Sequence, residues 1–307
     1  MKIVYMGTPD FAVPALKKLA ACPEHEVAAV FTQPDKPQGR KMLLTPPDVK
    51  VCAKELGIPV FQPLSMRSDE AYDSLKELNP DVIVVAAYGQ ILPKRVLDLP
   101  GFGCVNIHGS MLPKYRGAAP IQQAVLDGEA VTGVTTMLMD VGLDTGDILM
   151  KAETAVGENE TAGELFDRLA ELGGDLIVET LARLAEGSLV PQKQDESLAT
   201  HTSKIDKSRC PVDFTKPARV VHDQVRGLYP WPVATAVIGG KRVRLHSTRL
   251  CVKSGKPGTI LSVKPLIIAC GEGSVEILSL QPEGKKKMTA EAFAAGHKLT
   301  AGDSVNI

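Results

Sequence analysis

The stretch Val105–Pro120 reads Val-Asn-Ile-His-Gly-Ser-Met-Leu-Pro-Lys-Tyr-Arg-Gly-Ala-Ala-Pro, an apolar run that closes on two polar side chains. In a strand, residues i and i+2 share a face. Asn106 and His108 therefore point the same way at a strand end, just before a Gly-Ser-Met-Leu-Pro turn. An amide donor beside an imidazole suits a reaction through an oxyanion intermediate. Further along, Met139-Asp140-Val141-Gly142-Leu143-Asp144-Thr145-Gly146-Asp147 puts a carboxylate on a glycine-rich loop. Asp144 there can hold the imidazole, favour its charged form and help relay protons through water. Attack of an amine on a one-carbon acyl donor fits this set. The carbonyl oxygen gains charge that an amide and an imidazolium can bind, the nucleophile loses a proton and the leaving nitrogen gains one. A lone histidine is more often a satisfied structural residue. Here three polar groups converge at one edge of a sheet, which favours a site.

The elements that must position these groups follow a strand–helix rhythm. Lys2–Met6, Glu26–Thr32, Val60–Phe61, Asp81–Ala87, Gly103–His108 and Thr132–Met139 have strand character. Phe11–Ala21, Val49–Leu56, Asp69–Leu78, a short helix ending at Leu97, Ala119–Leu126 and Ala162–Glu186 have helical spacing. The run Asp81–Ala87 is continuously apolar, as in a strand buried on both faces. The expected fold class is α/β: a Rossmann-like, mostly parallel sheet with helices on both faces. Ligands of such sheets bind outside the carboxyl ends of the strands, where His108 and the Asp140–Asp147 loop are both expected.

After Gly187 the composition changes. Three segments are expected: a catalytic domain over 1–188, a polar linker over 189–206 and a C-terminal domain over 207–307. The last contains short strand candidates at Thr235–Ile238, Val243–Arg249, Gly258–Val263, Leu266–Ala269 and Val275–Gln281, separated by Gly-rich turns. Such spacing predicts a small β-barrel of the oligonucleotide-binding kind. The whole chain has a formal charge of −1, but residues 207–307 carry +9 and the rest −10. A basic C-terminal half fits a polyanionic partner or a solvated surface. Lys285-Lys286-Lys287 is open to the same two readings. The long loop Gln33–Pro47 carries Lys36, Arg40 and Lys41 where a strand should end, and long loops in compact domains are commonly functional.

Several classes are excluded. The first strand–helix turn is Gly7-Thr8-Pro9-Asp10-Phe11-Ala12, with one glycine where a dinucleotide fingerprint needs three. No Walker A motif is present. None of the 6 cysteines forms a Cys-x-x-Cys pair, so neither a metal site nor a disulfide framework is expected. Cys104, close to Asn106 and His108, is the cysteine to test as a nucleophile. No apolar run is long enough to span a membrane, and the first residues enter a strand directly. A cytoplasmic monomer is expected.

Taken together these motifs resemble the methionyl-tRNA formyltransferase family. The likeness runs in order through Gly7–Phe11, Phe31–Pro37, Ala87-Tyr88-Gly89, Ile91-Leu92-Pro93, Asn106–Pro120, Met139–Asp147, Tyr229-Pro230-Trp231-Pro232 and Leu278–Lys286. The Asn-x-His motif with a downstream Asp is shared with other enzymes that use 10-formyltetrahydrofolate. The Gly-Thr-Pro-Asp-Phe turn, the basic loop and the basic C-terminal domain narrow the likeness to the tRNA enzymes. The resemblance implies that Asn106, His108 and Asp144 are catalytic. It implies a folate-binding turn at Ser110, Met111, Leu112 and Pro113, where Met111 replaces the usual Leu, a near-isosteric change. Tyr88, Gly89, Gln90, Ile91 and Val141 would flank the pterin. Lys36, Arg40 and Lys41 would meet the acceptor stem of the tRNA, and the C-terminal barrel would hold its backbone. The implied activity is formyl transfer from the co-substrate 10-formyltetrahydrofolate to the α-amine of initiator methionyl-tRNA, with no metal. A formyltransferase acting on a small amine is the alternative. A non-catalytic RNA-binding protein that kept the fold is a third reading, which an intact trio disfavours.

Overall fold

A computed structural model of the chain describes residues 1–39 and 42–305. The chain forms two compact units. The first comprises Met1–Gly117, Gly133–Thr154 and Phe166–His201, and the second Ala118–Thr132, Ala155–Leu165 and Thr202–Ile307. This differs from the expected division at 188 and 206. Two excursions from the N-terminal half belong to the second unit, and most of the expected linker belongs to the first. Gln192 exchanges backbone hydrogen bonds with Ile148 at 2.8 and 2.9 Å, so the polar run after Gly187 extends the sheet region instead of crossing solvent. Polarity alone hid this, because the segment is held through its backbone.

The first unit is built on a seven-stranded sheet. Its strands are β1 (Lys2–Gly7), β2 (Glu26–Phe31), β3 (Val60–Phe61), β4 (Val82–Ala86), β5 (Cys104–His108), β6 (Val131–Leu138) and β7 (Ile148–Ala155), in the order β7-β6-β5-β4-β1-β2-β3. The pairs β1–β2, β1–β4, β2–β3 and β4–β5 are parallel. β6 runs antiparallel to β5, with Val105 opposite Leu138 and His108 opposite Thr135. Helices α1 (Val13–Ala21), α2 (Asp48–Glu55), α3 (Asp69–Leu78) and α4 (Lys94–Leu97) fall as expected in the first half. Phe11 lies within a 3-10 turn over Asp10–Ala12 before α1. The loop expected over 33–47 contains a short antiparallel pair, Lys36–Gln38 with Leu43–Thr45.

β4 is buried along its whole length, which explains its unbroken apolar run. On one sheet face Val4, Met6, Phe31, Ile83 and Val85 pack with Leu75 of α3 and Val96 of α4. Truncating a fully buried leucine such as Leu75 to alanine costs about 2–5 kcal/mol. Gly173 lies close to the strand that carries the site, since a Cβ there would come within 2.9 Å of Ile107 Cγ2. A larger residue at 173 would push on the strand that holds Asn106 and His108.

The second unit contains α5 (Pro120–Leu126), the start of α6 (Ala162–Ala185), α7 (Ala218–Gly227), α8 (Ala290–Gly296) and an antiparallel sheet. The sheet strands are β8 (Ala234–Ile238), β9 (Lys241–Cys251), β10 (Ile260–Val263), β11 (Leu266–Ala269) and β12 (Ser274–Pro282), in the order β8-β9-β12-β11-β10. Gly239 and Gly240 both take positive φ (57° and 68°), as a two-residue hairpin requires. The core joins Val221 and Val225 of α7 to Val243, Leu245, Val275 and Phe293. α7 was not legible because His222, Asp223 and Arg226 interrupt its apolar stripe. All three are buried, and Arg226 donates from Nε to Asp223 at 2.7 Å and from Nη1 to the Glu160 carbonyl at 3.0 Å. No helix among the described residues is long and apolar enough to cross a membrane.

Candidate active site

Asn106 and His108 share one face of β5 with Cys104, as the alternation predicts. Asn106 is half-buried and its amide bonds to no other described residue. His108 is 7% exposed. Its Nε2 lies 3.0 Å from the Tyr115 carbonyl, which can only accept, so that nitrogen carries the hydrogen. Nδ1 then faces the Asp144 carboxylate, with Oδ2 at 3.8 Å. That separation is longer than a hydrogen bond. Asp144 Oδ2 instead accepts from the Gly117 backbone N–H at 2.8 Å. Thus the expected trio does meet, but the direct bond expected between Asp144 and His108 is replaced by a gap beside Nδ1.

The approach of Asp144 also corrects the placement expected from strand ends. Because β6 is antiparallel, its carboxyl end lies beside the start of β5, where Met139 N–H donates to the Cys104 carbonyl at 2.8 Å. The loop after β6 therefore reaches back toward His108. Its base is closed by Leu138 N–H donating to Asp147 O at 2.9 Å. Asp140 Oδ1 accepts from Gly142 N–H (2.9 Å) and the Thr145 hydroxyl (2.7 Å). A Cβ at Gly146 would sit 1.7 Å from the Leu138 carbonyl, so only glycine fits there. Asp144 itself takes a left-handed φ of 54°, a conformation that costs of order 1 kcal/mol or more and is retained where the surroundings enforce it.

The turn after His108 is fixed by β6. The Thr135 hydroxyl donates to Ser110 O at 2.7 Å and accepts from Leu112 N–H at 3.1 Å. Ser110 is fully buried and its hydroxyl donates to Lys114 O at 2.7 Å, so this side chain shapes the turn. Met111 and Pro113 are half-buried and Leu112 is buried. At the end of β4, the Tyr88 carbonyl accepts from the Thr8 hydroxyl at 2.8 Å and from Gln33 Nε2 at 3.4 Å. Tyr88 is buried, and Gly89 next to it has φ 81°. Gln90 is tied to Met66 N–H (2.8 Å) and Pro63 O (3.0 Å). Ile91 and Val141 are 74% and 79% exposed. Exposed apolar side chains of this kind fit a flat, partly apolar ligand that covers them.

Cys104 is not a nucleophile. It is 1% exposed, and burial, with Asp98 nearby, pushes its thiol up to about 12. Lys36 is exposed, with Nζ 3.5 Å from Gln33 Oε1, while Arg40 and Lys41 lie outside the described residues. Sequence reasoning missed Tyr115, Gly117 and Thr135, whose contributions are backbone groups or a hydroxyl in a strand, and Gln194, which donates to the carbonyls of Asp144 and Gly146. Among the described residues, no group of three or more His, Cys, Asp or Glu is arranged to hold a metal.

In the second unit, Arg242 and Arg244 alternate with buried Val243 and Leu245 and point to solvent. Neither forms an ion pair with a described residue. Lys285 and Lys286 are exposed, and Lys287 Nζ lies 5.5 Å from the Tyr229 ring centre. Trp231 is 55% exposed.

A Rossmann-like sheet carrying an amide, an imidazole and a carboxylate, with no dinucleotide turn, fits an enzyme of the group-transfer class. Residues 1–181 match the Formyl transferase family and residues 204–298 match its C-terminal domain. A methionyl-tRNA formyltransferase of Citrifermentans bemidjiense is 48% identical over 304 residues, covering 98% of this chain and 95% of its own. One from Macrococcus caseolyticus is 48% identical over 299 residues, covering 97% and 96%. The chain belongs to the methionyl-tRNA formyltransferase family. Among solved structures, the N-formyltransferase of Helicobacter canadensis, in complex with folinic acid and dTDP-3-aminofucose, shares the fold with a TM-score of 0.69 at 19% identity, over 92% of this chain and 99% of that one. HypX from Aquifex aeolicus in complex with tetrahydrofolic acid matches with a TM-score of 0.63 at 17% identity, over all of this chain and 51% of that one.

Proposed function

We infer that the protein transfers the formyl group of 10-formyltetrahydrofolate to the α-amine of methionine esterified to initiator tRNA. The observation that carries this is the near-half identity to methionyl-tRNA formyltransferases along almost the full length of both chains. Within that activity, Asn106, His108 and Asp144 are the reacting machinery. The neutral α-amine attacks the formyl carbon and a C–N bond forms. The carbonyl electron pair moves to oxygen, where the Asn106 amide and a protonated His108 Nδ1 donate to it. Anchoring of Nε2 on Tyr115 O supports this use of Nδ1. The ammonium proton passes through water beside Asp144 to the N10 nitrogen as the C–N10 bond breaks. Tetrahydrofolate leaves and the formamide remains on the methionine.

The turn Ser110–Pro113 and the Tyr88–Ile91 segment, with Val141, are assigned to the folate. The basic loop with Lys36, Arg40 and Lys41 and the exposed Arg242, Arg244 and Lys285–Lys287 are assigned to the RNA. The exposure of Arg242, Arg244 and Lys285–Lys287, with no ion pair to a described residue, supports that assignment, because phosphate contacts release counterions and bind tightly at low salt. The protein works as a monomer on this reading. The test is formylation by the purified protein with 10-formyltetrahydrofolate, comparing methionyl initiator tRNA, uncharged tRNA and glycinamide ribonucleotide. Rapid formylation of the charged tRNA alone is expected. Formylation of the small amine alone would overturn the tRNA assignment and leave the chemistry standing.

A further inference from the structure

The Gln194 side chain joins two parts of the first unit. Its Nε2 donates to the Asp144 carbonyl and to the Gly146 carbonyl, both at 2.8 Å. Its Oε1 accepts from Arg116 Nε at 3.0 Å and Nη2 at 2.9 Å. Arg116 is 1% exposed, and Glu196 takes the rest of its fork, at 2.9 Å on Nη1 and 2.7 Å on Nη2. An amide can accept from a cation and donate to carbonyls at once. A carboxylate can do only the first, and an apolar side chain neither.

The same short segment is pinned from below. Thr200 O accepts from Arg116 N–H and Thr200 Oγ1 from Tyr115 N–H, each at 2.8 Å. The run Tyr115–Gly117 in turn supplies the carbonyl that anchors His108 and the N–H that holds the Asp144 carboxylate. The loop that presents Asp144 thus has its carboxylate held by Gly117 and its backbone held by Gln194.

We propose that Gln194 is a positioning residue for formyl transfer: braced by Arg116, it clamps the Asp144–Gly146 backbone so that the Asp144 carboxylate stays beside His108 in its left-handed conformation. The proposal rests on the assignment of Asp144 to the reaction. Misplacing a reacting group by about 1 Å can cost a hundredfold in rate, so loosening the clamp acts on kcat. Gln194 touches no reacting atom on this account, and substrate binding is left nearly intact.

The experiment uses the full chain and measures kcat, both KM values and thermal unfolding for Gln194→Glu, Gln194→Met, Asp144→Asn and the Gln194→Met/Asp144→Asn pair. Gln194→Glu keeps an acceptor for Arg116 and loses both donors. Gln194→Met loses the donors without adding charge beside Asp144. Both are expected to lower kcat by roughly ten- to a hundredfold, with each KM within about threefold and Gln194→Glu unfolding near the parent. On the Asp144→Asn background, Gln194→Met should add little further loss, because residues acting through one another are not additive. Parental kcat in both single variants, or a full multiplicative loss in the double variant, overturns the clamp. Parental kcat in Asp144→Asn would instead overturn the assignment of Asp144, a distinct outcome.

Discussion

The two units use their charged groups in opposite ways. In the first, the charges nearest the site are held in place: Arg116 is 1% exposed between Gln194 and Glu196, and the half-buried Asp144 is held by the Gly117 N–H. In the second, Arg242, Arg244 and Lys285–Lys287 stand in solvent without ion pairs to any described residue. Fixed charge suits a transition state, where donors must already be aimed when charge develops. Free charge suits a polyanion, since attraction to phosphates acts over a Debye length and tolerates imprecise geometry. The second unit also buries the pair Arg226–Asp223, but this ties α7 to the Gly157 and Glu160 carbonyls and shapes the fold.

This contrast predicts that damage to Asn106, His108 or Asp144 lowers kcat and damage to the basic face of the second unit raises KM. The largest effect is expected for Asn106→Ala, which removes the amide assigned to the oxyanion, one that bonds to no other described residue. kcat should fall on the order of a hundredfold or more with unfolding unchanged, as steady-state formylation and thermal melts would reveal. Next comes the double change Arg242→Ala/Arg244→Ala. KM for the charged tRNA should rise several-fold and the salt dependence of kcat/KM should flatten by roughly one unit of log–log slope per lost phosphate contact. A drop in kcat with an unchanged salt slope would break the contrast.

A smaller effect concerns acid stability. Burial holds the His222 imidazole below its ordinary value, opposed by its bond to the Glu158 carbonyl. The unfolded chain therefore takes up the proton first. Stability is complete above the unfolded value of about 6.5 and is lost as pH falls through it. The urea midpoint should drop between pH 7.5 and 5.5, and His222→Gln should lessen that drop. The smallest effect is expected for Cys104→Ser. With its thiol pushed up to about 12 by burial, the residue has no part in the chemistry, and kcat should stay at the parental level in the same assay.

What could be read from the sequence follows the range over which each feature is determined. Asn106 and His108 were legible because the period of a strand sets their common face within β5. The parallel core was legible from the unbroken apolar run of β4. Asp144 was found by its glycine-rich surroundings, yet its route to His108 was not, because the antiparallel turn of β6 depends on pairing with β5. Gln194 was invisible. It sits in a polar, irregular stretch, and its partners are carbonyls and a guanidinium brought close only by the fold. α7 was missed for a related reason: its buried polar residues satisfy one another across the second unit, which a hydropathy pattern cannot register.

The most direct test of the central claim is the single-turnover rate of formyl transfer by Asp144→Asn, with both substrates saturating. This removes binding from the comparison and keeps the size of the side chain. A rate lower by about two orders of magnitude or more, with initiator methionyl-tRNA still bound at parental affinity, is the predicted result. A parental rate would contradict the assignment of Asp144, and with it the claim that the site joining β5 to the loop after β6 carries the reaction.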